Sequence, residues 1–218
     1  MAGSGSSFGY FLTWSRYMAA KVKEVVALHG KSYVDGKMDQ REMYKTIRSH
    51  LLRRATFMTG VKGEAMAPTF NTGMDGKVGE TLLIRSLYEP SIRSVWVDDV
   101  VLLRHPNDSK QSLVRRVAAL EGDEMLSNDP EDKPFRIEPN SCWVLADNQE
   151  TKPPEVEDSR TFGPLALRNI VGRAIYSMTS PSDHGVVRNS DQAMAADAPV
   201  LAFELDLEEM GDRAGKNG

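Results

Sequence analysis

Apolar residues recur every three or four positions through the first sixty residues, and beyond them fall into short, nearly continuous runs. Phe11, Trp14, Met18, Val22 and Val25 share one helical face, which predicts a first helix over residues 8–28 with Ser7 as its cap. Asp39 and Glu42 have the spacing of a capping box. The stripe Met43, Ile47, Leu51, Ala55 and Met58 then predicts a second helix that Gly60 stops. The other face of this helix carries Arg41, Lys45, Arg48, Arg53 and Arg54, a pattern that fits packing against the domain or lying on a membrane surface. Past Gly60, runs over residues 81–87, 95–104, 112–120, 142–146 and 170–178 are separated by Gly, Pro, Asn and Asp and predict strands. Residues 128–139 are charged and contain proline, as expected of a surface loop or hairpin tip. Residues 180–218 are polar and acidic and are expected to be nearly without structure apart from 200–207. The fold class is mainly β, of the α+β kind: a basic helical extension (1–60), a compact β domain (61–178) and an acidic tail (179–218).

The net charge of −4 conceals an asymmetry. Residues 1–60 hold ten Lys or Arg against four acids, a net +6, and the remainder is net −10. A basic arm on an acidic body suits an anionic membrane surface or an acidic partner. Nucleic acid is disfavoured, because no aromatic residues are interleaved with the arginines as stacking platforms. No run of 18 apolar residues occurs, so no spanning helix is expected and membrane contact should be peripheral, through the basic second helix. Residues 1–23 contain no acid, several serines, and Arg16, Lys21 and Lys23, in keeping with a mitochondrial targeting segment. Cys142 is the single cysteine, and His29, His50, His105 and His184 are scattered, so neither a disulfide, a metal site nor a cofactor is expected.

Four segments carry a more specific signal. They are Gly63-Glu64-Ala65-Met66-Ala67-Pro68-Thr69; Asp98-Asp99-Val100-Val101-Leu102; Val114-Arg115-Arg116-Val117 through Gly122-Asp123; and Ala146-Asp147-Asn148 followed by Asp158-Ser159-Arg160-Thr161-Phe162-Gly163 and Ile170-Val171-Gly172-Arg173. In this order they resemble the boxes of the type I signal peptidase family and, within it, of the mitochondrial inner membrane protease branch, over about Gly60 to Tyr176. The family writes its first box Gly-x-Ser-Met-x-Pro-Thr, its second Gly-Asp-hydrophobic-Val, its third with Lys-Arg, and its last with Gly-Asp-Asn. This chain departs with Ala65 at the nucleophile, Asp98 for glycine, Arg115 at the general-base lysine and Ala146 for glycine.

The resemblance implies a serine hydroxyl that attacks a peptide carbonyl and a desolvated lysine that takes its proton. Ala65 has no oxygen to attack with. A guanidinium, with a pKa above about 12, is neutral in fewer than roughly one molecule in 10⁵ at pH 7 and is no substitute for the lysine. No catalytic residue is therefore expected. Relocation of the chemistry to Thr69, Lys62, Glu64 or Ser112 would require the positioning to be rebuilt. Gly63, Met66, Pro68, Asp147, Asn148, Asp158, Ser159, Arg160 and Gly163 are expected as scaffold, and Asp158 to Arg160 as a hydrogen-bonded turn with an ion pair. Trp143 and Phe162 are expected in the core.

The resemblance implies a signal-peptidase-like twisted antiparallel β domain, and a protein that serves as a non-catalytic subunit or adaptor of a hetero-oligomeric complex at the mitochondrial inner membrane. An extended peptide could still be held beside the first box. The alternative is a serine-type endopeptidase subunit that takes part in presequence processing with an active partner.

Overall fold

The computed structural model describes residues 5–70, 79–108, 110–126 and 133–215, with the side chains of 5–8 and 206–215 excepted. Residues 1–4 of the expected targeting segment and 128–132 of the expected hairpin tip lie outside the described residues. The chain divides into two compact units, one of residues 1–55 with 195–218 and the other of residues 56–194.

The first unit contains α1 (Gly5–Val34) and α2 (Gln40–Leu52). Ser7 lies inside α1, which is longer at both ends than its apolar spacing suggested. The capping box forms as expected: the Glu42 N–H donates to Asp39 Oδ1 at 2.7 Å, and Glu42 Oε2 accepts from the Asp39 N–H at 3.1 Å. The other end of α2 is met by Lys21 on α1. Its ammonium donates to the carbonyls of Leu51 (2.8 Å) and Arg53 (2.5 Å), putting a cation where the helix dipole is negative. Met43, Ile47 and Leu51 are half-buried, so the stripe of α2 packs within the unit. Tyr17 and Phe203 stack with ring centroids 4.4 Å apart beside buried Ala55 and Val200.

The second unit is an antiparallel sheet built from β1 (Thr56–Val61), β2 (Glu80–Ser86), β3 (Val100–Arg104), β4 (Ser112–Leu120), β7 (Ser141–Leu145), β8 (Leu165–Ala166), β9 (Ile170–Ser180) and β10 (Asp183–Val186). A separate hairpin pairs β5 (Glu124–Met125) with β6 (Phe135–Arg136). The order is β1-β2-β9-β3-β4-β7-β8, with β10 also on β9. β9 is the spine. Its first half bonds β3 and its second half β10 on one side, while β2 runs along the other. Gly172 makes this possible: a Cβ there would stand 2.4 Å from the Arg85 carbonyl oxygen and 2.5 Å from Ile84 Cγ2. The two sheet faces bury separate clusters, one around Val95, Val101, Leu103, Val117, Cys142 and Leu165, the other around Met66, Phe70, Leu82, Ile84, Val100 and Val114. Burial pushes the Cys142 thiol up to about 12, as suits a small core residue.

Three sequence expectations change. The helical stripe continued through Met58 to Gly60, but α2 ends at Leu52 and residues 56–61 are strand, so the helical extension stops short of residue 60. The run over 95–104 becomes strand only from Val100, because the Asp99 carboxylate turns the chain by accepting from the Trp96 N–H at 3.0 Å. The acidic stretch expected to be nearly structureless holds β10 and α4 (Asp191–Gly215), the latter capped by Ser190 Oγ on the Ala193 N–H.

Candidate functional site

The first box lies in a turn after β1. Gly63 opens it at φ +89°, a left-handed conformation that glycine adopts without strain. Ala65 is half-buried, Met66 is in the core and the Ala67–Pro68 bond is cis. Asn148 clamps this turn: its amide donates to the Glu64 carbonyl and its backbone N–H to the Ala65 carbonyl, both at 3.0 Å. Asp147 makes the second tie. It accepts from Thr69 Oγ1 and takes a two-pronged bond from Arg116, Nε to Oδ1 at 2.9 Å and Nη2 to Oδ2 at 2.7 Å. Arg116 also donates to the Asp98 and Arg188 carbonyls. The turn that carries Ala65 is thereby fixed to β4 and to the end of β7.

Arg115 is buried on β4, on the opposite strand face from Val114 and Arg116. Its guanidinium donates to two carbonyl oxygens, Nε to Glu157 at 2.9 Å and Nη1 to Val114 at 2.6 Å. Burial lowers its pKa, Asp158 and Glu157 push the other way, and Arg160 adds to the lowering. Both bonds nonetheless require an N–H at the nitrogen, so this environment holds a donor.

Asp158, Ser159 and Arg160 form a turn that locks β7. Asp158 is fully buried at the start of α3 (Ser159–Phe162), where it accepts from the backbone N–H of Arg160 and of Ala146 and from the Arg160 side chain, Nη2 at 2.6 Å. Ser159 Oγ accepts from the Val144 N–H at 2.9 Å, and Gly163 ends the turn at φ +81°. Phe162 packs on the first core cluster, whereas Trp143 is half-buried against Phe135 rather than in the core. Burial raises the pKa of Asp158, but the bonds from Arg160 and Ala146 outweigh it and hold the carboxyl below the ordinary carboxylate value. A lowered native pKa gives stability that is present above the unfolded value of about 3.9 and lost as pH falls through the native one. Asp158→Asn should therefore cost roughly 1–3 kcal/mol near pH 7, and urea midpoints of wild type and variant should converge at low pH.

Residues 46–131 match the family described as signal peptidase, peptidase S26. The chain is 46% identical over 199 residues to mitochondrial ATP-independent inner membrane protease subunit 2 of Arabidopsis thaliana, covering 91% of this chain and 95% of that relative. The chain belongs to the peptidase S26 family. It is also 31% identical to subunit 1a of the Arabidopsis thaliana protease over 135 residues (60% of this chain, 74% of the relative). With mitochondrial inner membrane protease subunit 1 of Mus musculus it shares 33% over 96 residues (42% and 55%). A crystal structure of a signal peptidase I from Enterococcus faecalis aligns at 20% identity with a TM-score of 0.29, over 38% of this chain and 98% of that one.

In this peptidase S26 member the first, third and fourth boxes meet around the segment Ala146-Asp147-Asn148, whose groups bond Glu64 and Ala65 on one side and Asp158 on the other. Lys62, Glu64 and Ser112 are exposed, and Thr69 is engaged with Asp147. Sequence reasoning named Asp98, Asp99 and Arg173 within the boxes without seeing what they do. Asp98 sits at φ +76°, the region glycine favours, which accounts for the family's glycine there; aspartate is among the few other residues that enter it readily. Asp99 and Arg173 form a buried ion pair, with Arg173 Nε 3.1 Å from Asp99 Oδ2, and the pair joins the second box to the last. No helix among the described residues is long and apolar enough to cross a membrane.

Proposed function

We propose that this peptidase S26 member is catalytically silent and acts as a non-catalytic subunit or adaptor in a protein complex at the mitochondrial inner membrane. The observation that carries the reading is the pair of replaced positions: a methyl group at residue 65 and, at residue 115, a guanidinium that donates to the Glu157 and Val114 carbonyls. Neither group can attack a carbonyl or accept the proton such an attack releases. The scaffold bonds of Asp147, Asn148, Asp158 and Ser159 remain available to hold a binding surface, and β1 lies at one edge of the sheet, where an extended peptide could add as a further strand. The amino-terminal helices and the acidic carboxy-terminal segment would serve as docking extensions.

A second reading is favoured by the relatives' own description as protease subunits: participation in presequence processing beside an active partner. Affinity purification of the native protein from mitochondria, with quantitative mass spectrometry, separates the two. An active inner membrane protease subunit as the dominant partner supports the second, and a different complex supports the first. The purified chain alone should not cleave presequence peptides. Turnover that survives Thr69→Val and Lys62→Met would overturn catalytic silence and place the chemistry elsewhere, and turnover lost in either variant would establish relocation.

A further inference from the structure

α1 exposes an apolar line that its packing does not use. Phe11, Val22 and Tyr33 are 58%, 37% and 43% exposed and Val26 is 52% exposed. Phe11, Val22 and Tyr33 are eleven residues apart, three helical turns to within about 20°, and Val26 falls about 40° from Val22, so the four form one straight stripe. The buried residues Tyr17, Lys21 and Val25 occupy a different face. Seven- and eleven-residue spacings drift round an ideal helix by similar angles in opposite senses, so the spacing of the line does not choose between a partner helix and a flat surface.

The charges make that choice. Arg16 and Lys23 are exposed and fall within about 20° of each other, roughly 100–120° round the helix from Val22, along one flank of the stripe. Glu24, the one acid between Gly5 and Val34, lies about 160° from Val22, away from it. Trp14, 41% exposed and stacked on Phe11, lies about 80° from Val22 on the other side, where the stripe meets the face of buried Val25 and Lys21. Leu12 and Val34, 39% and 82% exposed, lie about 80° and 120° from Val22 on the same side as the cations, so the apolar line broadens there. Apolar and aromatic residues with cations among and beside them fit the boundary between anionic headgroups and acyl chains.

We propose that α1 lies on an anionic lipid surface through Phe11, Val22, Val26 and Tyr33, with Arg16 and Lys23 over the headgroups. This transfers the peripheral contact expected of α2 to α1, because the apolar stripe of α2 is packed within its unit. The inference rests on the membrane location proposed above, yet its readout is separate from cleavage and from partner capture.

The test is flotation of the full chain with phosphatidylcholine vesicles, with and without cardiolipin. Binding is expected only to the cardiolipin vesicles and should weaken as salt rises. Phe11→Gln with Val26→Gln should reduce binding more than about tenfold, and Arg16→Glu with Lys23→Glu by at least as much, at about fivefold per cation, with helicity by circular dichroism retained. Tyr44→Gln, on the exposed side of α2, should leave binding unchanged. Failure of the wild type to float, equal flotation of the α1 variants, loss of binding in Tyr44→Gln, or a change of oligomeric state in place of lipid binding would each overturn the proposal. A chain that floats and also cleaves would overturn catalytic silence alone.

Discussion

Arg173→Met should lower the stability of the β unit by about 3–5 kcal/mol, because it leaves the Asp99 carboxylate charged and buried without its counter-ion. Asp99 is 0% and Arg173 1% exposed, so water cannot take over the lost contact. The pair is also the hub of a wider set of bonds. Asp99 accepts from the Trp96 N–H and from Ser190 Oγ at 2.7 Å, while Arg173 donates to the Ser94 carbonyl at 2.6 Å and lies 5.1 Å over the Trp96 ring. Removing the guanidinium therefore loosens the 94–99 turn, the start of α4 and the middle of β9 together. The measurement is a urea midpoint, with the transition followed at several wavelengths because the chain has two compact units. Asp99→Asn added to Arg173→Met should cost little more, since the buried charge leaves with its partner. A strictly additive double variant would mean that the two groups are not coupled.

Local signals in this chain were readable where one residue's chemistry decides the geometry. The Asp39 to Glu42 capping box and the strand from Ser112 to Leu120 are seen in the structure as the sequence indicates. The end of α2 was not readable in the same way, because Ala55 and Met58 happen to continue the three-four spacing after the backbone has become extended. Thr56, Phe57 and Thr59, β-favouring residues in sequence, were the competing signal. α4 was obscured by its acidic composition and by Pro199, which reads as a helix breaker; buried Ala193 and Val200 now explain why this stretch folds, and Ser190 three residues before Ala193 was the cap that could have revealed it.

The site divides along the same lines. The replacement of hydroxyl by methyl at residue 65 and of amine by guanidinium at residue 115 is visible in the sequence, since only residue identity matters to whether an atom can attack or accept a proton. What the guanidinium does instead depends on Glu157, 42 residues away, and the partner of Arg173 is 74 residues distant; such pairings come from the order of strands in the sheet. Asn148 holds the backbone at Ala65, and Arg115 is held by the Glu157 and Val114 carbonyls; a reversal of the two replacements acts within those bonds.

Ala65→Ser with Arg115→Lys should gain cleavage of presequence peptides, while each single variant should remain indistinguishable from wild type. A nucleophile and its base act as a unit: a serine without a base keeps its proton, and a lysine without a serine has nothing to activate. Loss of a nucleophile in such a unit costs on the order of 10⁶ in turnover, so even a partly repaired site should rise by several orders of magnitude above background. The lysine must be neutral to work. Burial at residue 115 favours its neutral form; Asp158 and Glu157 oppose this, and Arg160, paired to Asp158, diminishes the opposition. Cleavage by the double variant should therefore increase with pH as the lysine loses its proton, and peptide turnover measured across pH reads this directly. The exchange also removes the donors that Arg115 gives to the Glu157 and Val114 carbonyls, so the double variant should be less stable than wild type. A folded double variant that shows no turnover at any pH would mean that the peptide-binding surface, and not the dyad alone, has departed from that of an active peptidase.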